Sequence, residues 1–248
     1  MGLGGIVNCR CWKDAGLDGP IGFDEDGWFD LLDSTDPVAY RWYEAGCEHR
    51  DFSLAHEDLG SWGGQSAVRQ TCTEIGWDLL PTLRAVLPTT NDGWIPVADV
   101  PAVLAELDVF ESRAGMVTET VLVDEETGQG IYSCVAANLS IIGWNRALQA
   151  GIDQDGFFVR STRLIPRTVF RATRFTQREL RGGRVEFAGD QGTARLRLFL
   201  VGHVMPVTPS RLAVVTRNQS ADGWSHWIGS MRRLCAAALA TGNPVKWT

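Results

Sequence analysis

The sequence lacks an apolar run of the roughly 18 residues that a membrane-spanning helix needs. Its first residues lack the basic segment and long apolar stretch of a secretory signal peptide. The N-myristoylation motif requires Ser or Thr at position 6, where this chain has Ile6. These absences predict a cytoplasmic protein with no membrane partner, in which the six cysteines are kept reduced.

The short motifs of common catalytic and nucleotide-binding sites are also missing. The sequence contains no G-x-S-x-G, H-E-x-x-H, P-loop or G-x-G-x-x-G pattern. The run from His56 to Asp58 combines acid and base types, but no nucleophile accompanies them. We therefore predict no catalytic residue and favour a protein that is not an enzyme.

Charge is present but unevenly distributed. Residues 1–128 contain 24 acidic and 7 basic side chains, a net charge of −17, whereas residues 129–248 contain 6 acidic and 16 basic ones, a net charge of +10. In one interpretation the two halves neutralise each other. In the other, one half binds an oppositely charged partner.

The residue patterns predict an α+β fold. Helices concentrate in an acidic region between residues 36 and 112, and an antiparallel β meander follows from residue 117, with a last helix near 225–240. Alternating side chains predict a strand over 6–12, residues 47–60 are expected to be irregular, and 244–247 are expected to form an edge strand. The chain is interpreted as one domain over 1–248, or as two interlocked halves, 1–116 and 117–248.

Cysteine and histidine side chains form one candidate metal site. Cys9, Cys11, Cys47 and His49 provide three thiols and an imidazole, a donor set typical of closed zinc sites. On a strand, Cys9 and Cys11 would point the same way about 7 Å apart, so zinc would require the strand to bend there. The alternative is that these thiols are small buried core residues. Zinc is the candidate cofactor.

Two further groups of residues could bind macromolecules. Arginines recur between 160 and 197 with phenylalanines among them, a combination that could hold RNA on a sheet. The net charge of −7 makes a nucleic-acid partner the less favoured interpretation. Trp28, Trp62 and Trp94 follow Gly or Ser in turn-like contexts and are candidate anchors for a protein partner.

Three segments resemble a family of uncharacterised, largely actinobacterial proteins. They are the opening M-G-L-x-x-I-V-x-C-x-C, the later Cys47-Glu48-His49 step and the closing T-G-N-P-V-x-W. The resemblance spans most of the chain and implies no activity, although some members look like immunity proteins in toxin loci. It implies that the Cys and His positions form a site.

These observations favour a non-enzymatic protein-binding function. The leading hypothesis is a cytoplasmic immunity protein whose acidic, Trp-bearing half neutralises a basic toxin domain, since opposite charges speed association. The alternatives are a small metal-dependent enzyme that uses the Cys and His residues, and an RNA-binding module that uses the arginine-rich sheet.

Overall fold

A computed structural model of the chain describes residues 2–90, 92–135 and 139–248. The chain divides into two compact units. The first unit combines Met1–Gly115 with Ser220–Thr248, and the second is the continuous segment Met116–Gln219. The C-terminal helix therefore groups with the N-terminal residues rather than with the preceding strands.

The first unit contains the helices and two small antiparallel sheets. Its helices are α1 (Cys11–Asp14), α2 (Pro37–Ala45), α3 (Trp62–Ile75), α4 (Pro81–Val86), α5 (Val100–Ala114) and α6 (Ser225–Thr241). Its strands are β1 (Gly2–Asn8), β2 (Ile21–Phe23), β3 (Phe29–Leu31), β4 (Ser53–Ser61), β5 (Trp94–Ile95) and β16 (Val245–Trp247). The strand order is β4-β1-β16-β5 in the larger sheet, and β2 pairs with β3.

Within the described residues of the second unit, all regular elements are β-strands. They are β6 (Thr118–Asp124), β7 (Gly130–Val135), β8 (Ser140–Trp144), β9 (Leu148–Asp153), β10 (Gly156–Ser161), β11 (Thr168–Ala172), β12 (Arg174–Leu180), β13 (Arg184–Gly189), β14 (Gly192–Leu196) and β15 (Arg211–Asn218). They form two antiparallel sheets, ordered β11-β10-β9-β8 and β14-β13-β12-β15-β6-β7.

Each unit has its own apolar core. In the first, the larger sheet contributes Val7 and Trp247, which pack against helical residues such as Phe110 and Leu234. In the second, the core centres on four phenylalanine rings with centroids 4.5–6.2 Å apart. These rings belong to Phe157, Phe170, Phe175 and Phe187.

The α+β prediction is confirmed, with helices before residue 115 and strands dominating from 118. Three local predictions are wrong. The predicted strand over 6–12 ends at Asn8 and a helical turn begins at Cys11, while the segment expected to be irregular contains β4. β16 is not an edge strand, because it lies between β1 and β5.

Candidate metal centre

The structure brings the four predicted metal-binding residues together. Cys9 follows the end of β1 and Cys11 begins α1, whereas Cys47 and His49 lie between α2 and β4. Their donor atoms, three Sγ atoms and a ring nitrogen, all lie within 4.8 Å of one another. Residues almost forty positions apart in sequence therefore form one cluster, which we call the Cys/His cluster.

The break in the first strand creates this geometry. On a continuous strand the side chains of Cys9 and Cys11 would be parallel, but the helical turn of α1 redirects Cys11 towards the imidazole of His49. Trp12, the next residue of that turn, is fully buried against the rings of Phe23 and Phe29. Burial of this indole stabilises the turn and so the position of Cys11.

A glycine at the end of α2 positions the second pair of ligands, Cys47 and His49. Asp36 caps the start of α2 by accepting hydrogen bonds from the amides of Val38 and Ala39. Gly46 ends the helix with a φ of 72° and a ψ of −174°, a conformation that residues with a side chain rarely adopt. The chain consequently turns sharply at Gly46, and Cys47 follows directly.

The distances within the cluster fit a tetrahedral metal ion. The Sγ atoms of Cys9 and Cys47 are 3.7 Å apart. The Nδ1 atom of His49 lies 3.3 Å from Sγ of Cys11 and 3.8 Å from Sγ of Cys47. Zinc bonds of about 2.3 Å to sulfur and 2.0 Å to nitrogen give tetrahedral edges of about 3.5–3.8 Å. These three separations are within about 0.2 Å of those edges, and the other pairs of donor atoms lie within 4.8 Å.

Two thiols of the cluster, those of Cys9 and Cys11, have a pKa above the usual cysteine value. Burial raises the pKa of the Cys9 thiol to about 12, and the adjacent thiols of Cys11 and Cys47 contribute to the rise. Burial also raises the pKa of Cys11. A bound metal ion supplies the positive charge that stabilises thiolates. The chemistry of the donor set therefore fits a metal ion.

The other three cysteines have a different environment. Cys72 and Cys235 are buried in the core of the first unit, and Cys134 is buried in the core of the second. None of the three forms a disulfide, and burial raises each pKa to about 11 or 12. Cys72, Cys134 and Cys235 are therefore small buried core residues, the role that was the alternative to metal binding for the Cys/His cluster.

Asn243 holds the backbone of the cluster, and the sequence-based search for ligands missed it. Its buried side-chain amide donates to the carbonyl oxygens of Asn8 and Cys9, at 2.9 and 2.8 Å. Its Oδ1 atom accepts a hydrogen bond of 3.2 Å from Lys13. The closing T-G-N-P-V-x-W segment contains Asn243, and this motif was the available signal.

The segment after His49 is fixed by aromatic packing and by strained backbone. The carbonyl of Phe52 accepts a hydrogen bond of 2.8 Å from the amide of Cys9, which joins the two ligand segments. Asp51 and Phe52 both have positive φ angles, 51° and 55°, a conformation that costs about 1 kcal/mol or more for a residue with a side chain. The Phe52 ring, 5.1–5.5 Å from the rings of Phe29, Trp42 and Tyr43, anchors this conformation.

Two of the three candidate partner-binding tryptophans share one surface. Trp28 and Trp94 are 44% and 42% exposed, and the buried ammonium of Lys246 lies 4.7 and 5.4 Å from their ring centroids. The same ammonium donates to the backbone oxygen of Asp26. Trp62 begins α3 and packs against the core of the first unit instead. We call the first two residues the tryptophan pair.

Carboxylates engage several arginines of the 160–197 series. Arg171 forms a bidentate ion pair with Asp153, in which its two terminal nitrogens donate to the two carboxylate oxygens at 2.6 and 2.9 Å. Arg178 and Arg195 both contact Glu186. These pairs lie within the second unit and interrupt the basic surface on which an RNA-binding sheet would depend.

No protein-family model, curated protein or solved structure matches this chain. The resemblance to the actinobacterial family is therefore still a prediction.

Proposed function

We propose that this protein binds one zinc ion through Cys9, Cys11, Cys47 and His49, and that the ion is structural. The observation that carries the proposal is the convergence of three thiols and one imidazole within 4.8 Å. Thiolate and imidazole ligands in tetrahedral geometry favour zinc among the common metal ions. A structural role follows because four protein ligands leave no open position, whereas catalytic zinc sites retain one.

The proposed ion would add a covalent link between two segments that are distant in sequence and already pack together. One runs from β1 into α1, and the other links α2 to β4. Ligands of this kind rarely form a site in the unfolded chain, so the free energy of metal binding adds to the free energy of folding. Zinc would therefore stabilise the first unit.

Metal analysis of the purified protein and a matched pair of cysteine variants test the proposal. We expect one zinc per chain in the wild type, and loss of zinc together with a fall in Tm of about 10 °C in Cys47→Ser. Cys72→Ala is the control, because it removes a buried thiol outside the Cys/His cluster and should keep the zinc. Wild-type protein that stays metal-free after refolding with zinc would contradict the proposal.

A second candidate function is binding of a basic protein partner at the tryptophan pair, as an immunity protein would bind a toxin. It is favoured by the partial exposure of both indoles beside the acidic turn at 24–26. Tryptophan is a preferred interface anchor, and surrounding carboxylates steer a basic partner.

Cross-linking in the native host followed by mass spectrometry tests this second function. A basic protein should be captured by the wild type and by the Leu239→Ser control, but lost from Trp28→Ser/Trp94→Ser. Higher salt should weaken the capture, because opposite charges drive the association. Equal capture by the double variant would contradict a role for the tryptophan pair.

A further inference from the structure

Two turns of the second unit lie side by side at one end of the β11-β10-β9-β8 sheet. One turn, 145–147, joins β8 to β9, and the other, 162–167, joins β10 to β11. The amide and hydroxyl of Thr162 donate to the carbonyls of Ala147 and Arg146, at 2.9 and 2.8 Å. These bonds hold the two turns together as one surface.

This surface presents large apolar side chains to solvent. Leu164 is 100% exposed, Ile165 is 76% exposed, and Trp144 at the end of β8 is 73% exposed. Leu164 and Ile165 also line an open groove of about 610 Å³, together with Leu148 and Val169. We call Trp144, Leu164 and Ile165 the apolar tip. Large apolar side chains exposed on two joined turns are typical of an interaction site.

Arginines surround the apolar tip without carboxylates to neutralise them. Arg146, Arg163 and Arg167 lie in the same two turns, and all are exposed. Across the described residues, none of these three arginines has an ion pair. The sequence has no Asp or Glu in 127–152 or in 156–178. The tip therefore carries a positive charge of its own, although the whole chain is acidic.

We propose that the apolar tip docks on the surface of an anionic lipid bilayer. Leucine and isoleucine would enter the boundary between headgroups and acyl chains, tryptophan prefers that same interface, and the arginines would pair with lipid phosphates. Such peripheral docking needs no membrane-spanning helix. A nucleic acid also attracts arginine, but it offers no apolar environment for Leu164 and Ile165, so the bilayer fits the whole set of side chains better.

Vesicle co-sedimentation of the full chain tests this proposal. Wild-type protein should bind vesicles of phosphatidylcholine with phosphatidylglycerol, and bind vesicles of phosphatidylcholine alone far more weakly. Leu164→Ser/Ile165→Ser and Arg163→Glu/Arg167→Glu should each reduce the partition coefficient by roughly tenfold or more. Raised salt should weaken the binding of the wild type as well.

Matched controls separate the tip from general effects of hydrophobicity and charge. Met116→Ser removes another exposed apolar side chain of the same unit, and Arg181→Glu reverses an exposed arginine in the turn after β12. Both should bind anionic vesicles like the wild type. Absence of vesicle binding by the wild type, equal loss in the control variants, or binding of a single-stranded oligonucleotide in place of vesicles would overturn the proposal.

Discussion

Asn243 acts on the Cys/His cluster without being one of its ligands. Its side chain uses both amide hydrogens on the carbonyls of Asn8 and Cys9, so it fixes the backbone from which Cys9 projects. Groups that orient metal ligands are nearly as important as the ligands themselves, and removing one typically lowers metal affinity by about 10–100-fold.

We therefore expect Asn243→Asp to weaken zinc binding by about 10–100-fold and to lower the free energy of unfolding by about 2 kcal/mol. A carboxylate cannot donate to the two carbonyls, and its charge would be buried against them. Competition with a chelator measures the affinity, and urea unfolding measures the stability. Lys13→Ala is the milder control, since it removes only the bond to Oδ1. Unchanged chelator competition in Asn243→Asp would contradict the role assigned to this residue.

At the scale of elements, an ion pair connects β4 to α6. Glu57 receives two hydrogen bonds from Arg233, at 2.6 and 2.7 Å, and a third of 3.0 Å from the hydroxyl of Ser230. The bonds from Arg233 are the main reason why the pKa of Glu57 is below its usual value of 4.5. A carboxylate whose pKa is lower in the folded state stabilises the protein above the pKa of the unfolded state.

This stabilisation should be lost as the pH falls below about 4.5 and through the lower folded-state pKa of Glu57. We expect the wild type to lose more unfolding free energy between pH 6 and pH 3.5 than Glu57→Gln, whose side chain does not titrate. Urea unfolding at the two pH values measures the difference. Glu44→Gln, on the exposed surface of α2, should keep the pH dependence of the wild type. A pH dependence that Glu57→Gln leaves intact would contradict this interpretation.

Elements with strong local signals could be predicted from the sequence, and those decided by distant contacts could not. Asp36 followed by Pro37 predicts the start of α2, and the apolar stripe of α6 ends at Gly242, as expected. β1 stops early because of contacts from Phe52 and Asn243, residues far along the chain. The residue types of the Cys/His cluster were predictable. The closing motif draws attention to Asn243, but it does not show that this side chain binds the backbone carbonyls of Asn8 and Cys9.

At the scale of the whole molecule, the second unit is an insertion between α5 and α6 of the first. Its two ends are adjacent, because Thr118 pairs with Asn218 and the amide of Gln219 donates to the carbonyl of Val117. The phenylalanine-centred core lies wholly inside the unit. A continuous segment with its own core and adjacent ends meets the criteria for a domain that folds alone.

Residues 116–219 should therefore fold when expressed separately. We expect a β-rich circular dichroism spectrum and a cooperative urea transition. The converse experiment replaces 116–219 with a short Gly/Ser linker, which should leave the first unit folded and able to bind zinc. An isolated segment that unfolds without cooperativity would contradict the assignment of an independent core.

The position of β16 has a consequence for synthesis on the ribosome. This strand lies inside the larger sheet of the first unit, yet it is translated after both of its neighbours, β1 and β5, and after the whole second unit. The inserted unit can complete its sheets while translation continues, because its residues are contiguous. The larger sheet of the first unit, by contrast, cannot be completed until residues 243–247 are translated. Until then, the edges of β1 and β5 that pair with β16 have no partner strand. The interval from translation of β1 to translation of β16 is therefore the period in which this chain is most exposed to aggregation and most dependent on chaperones.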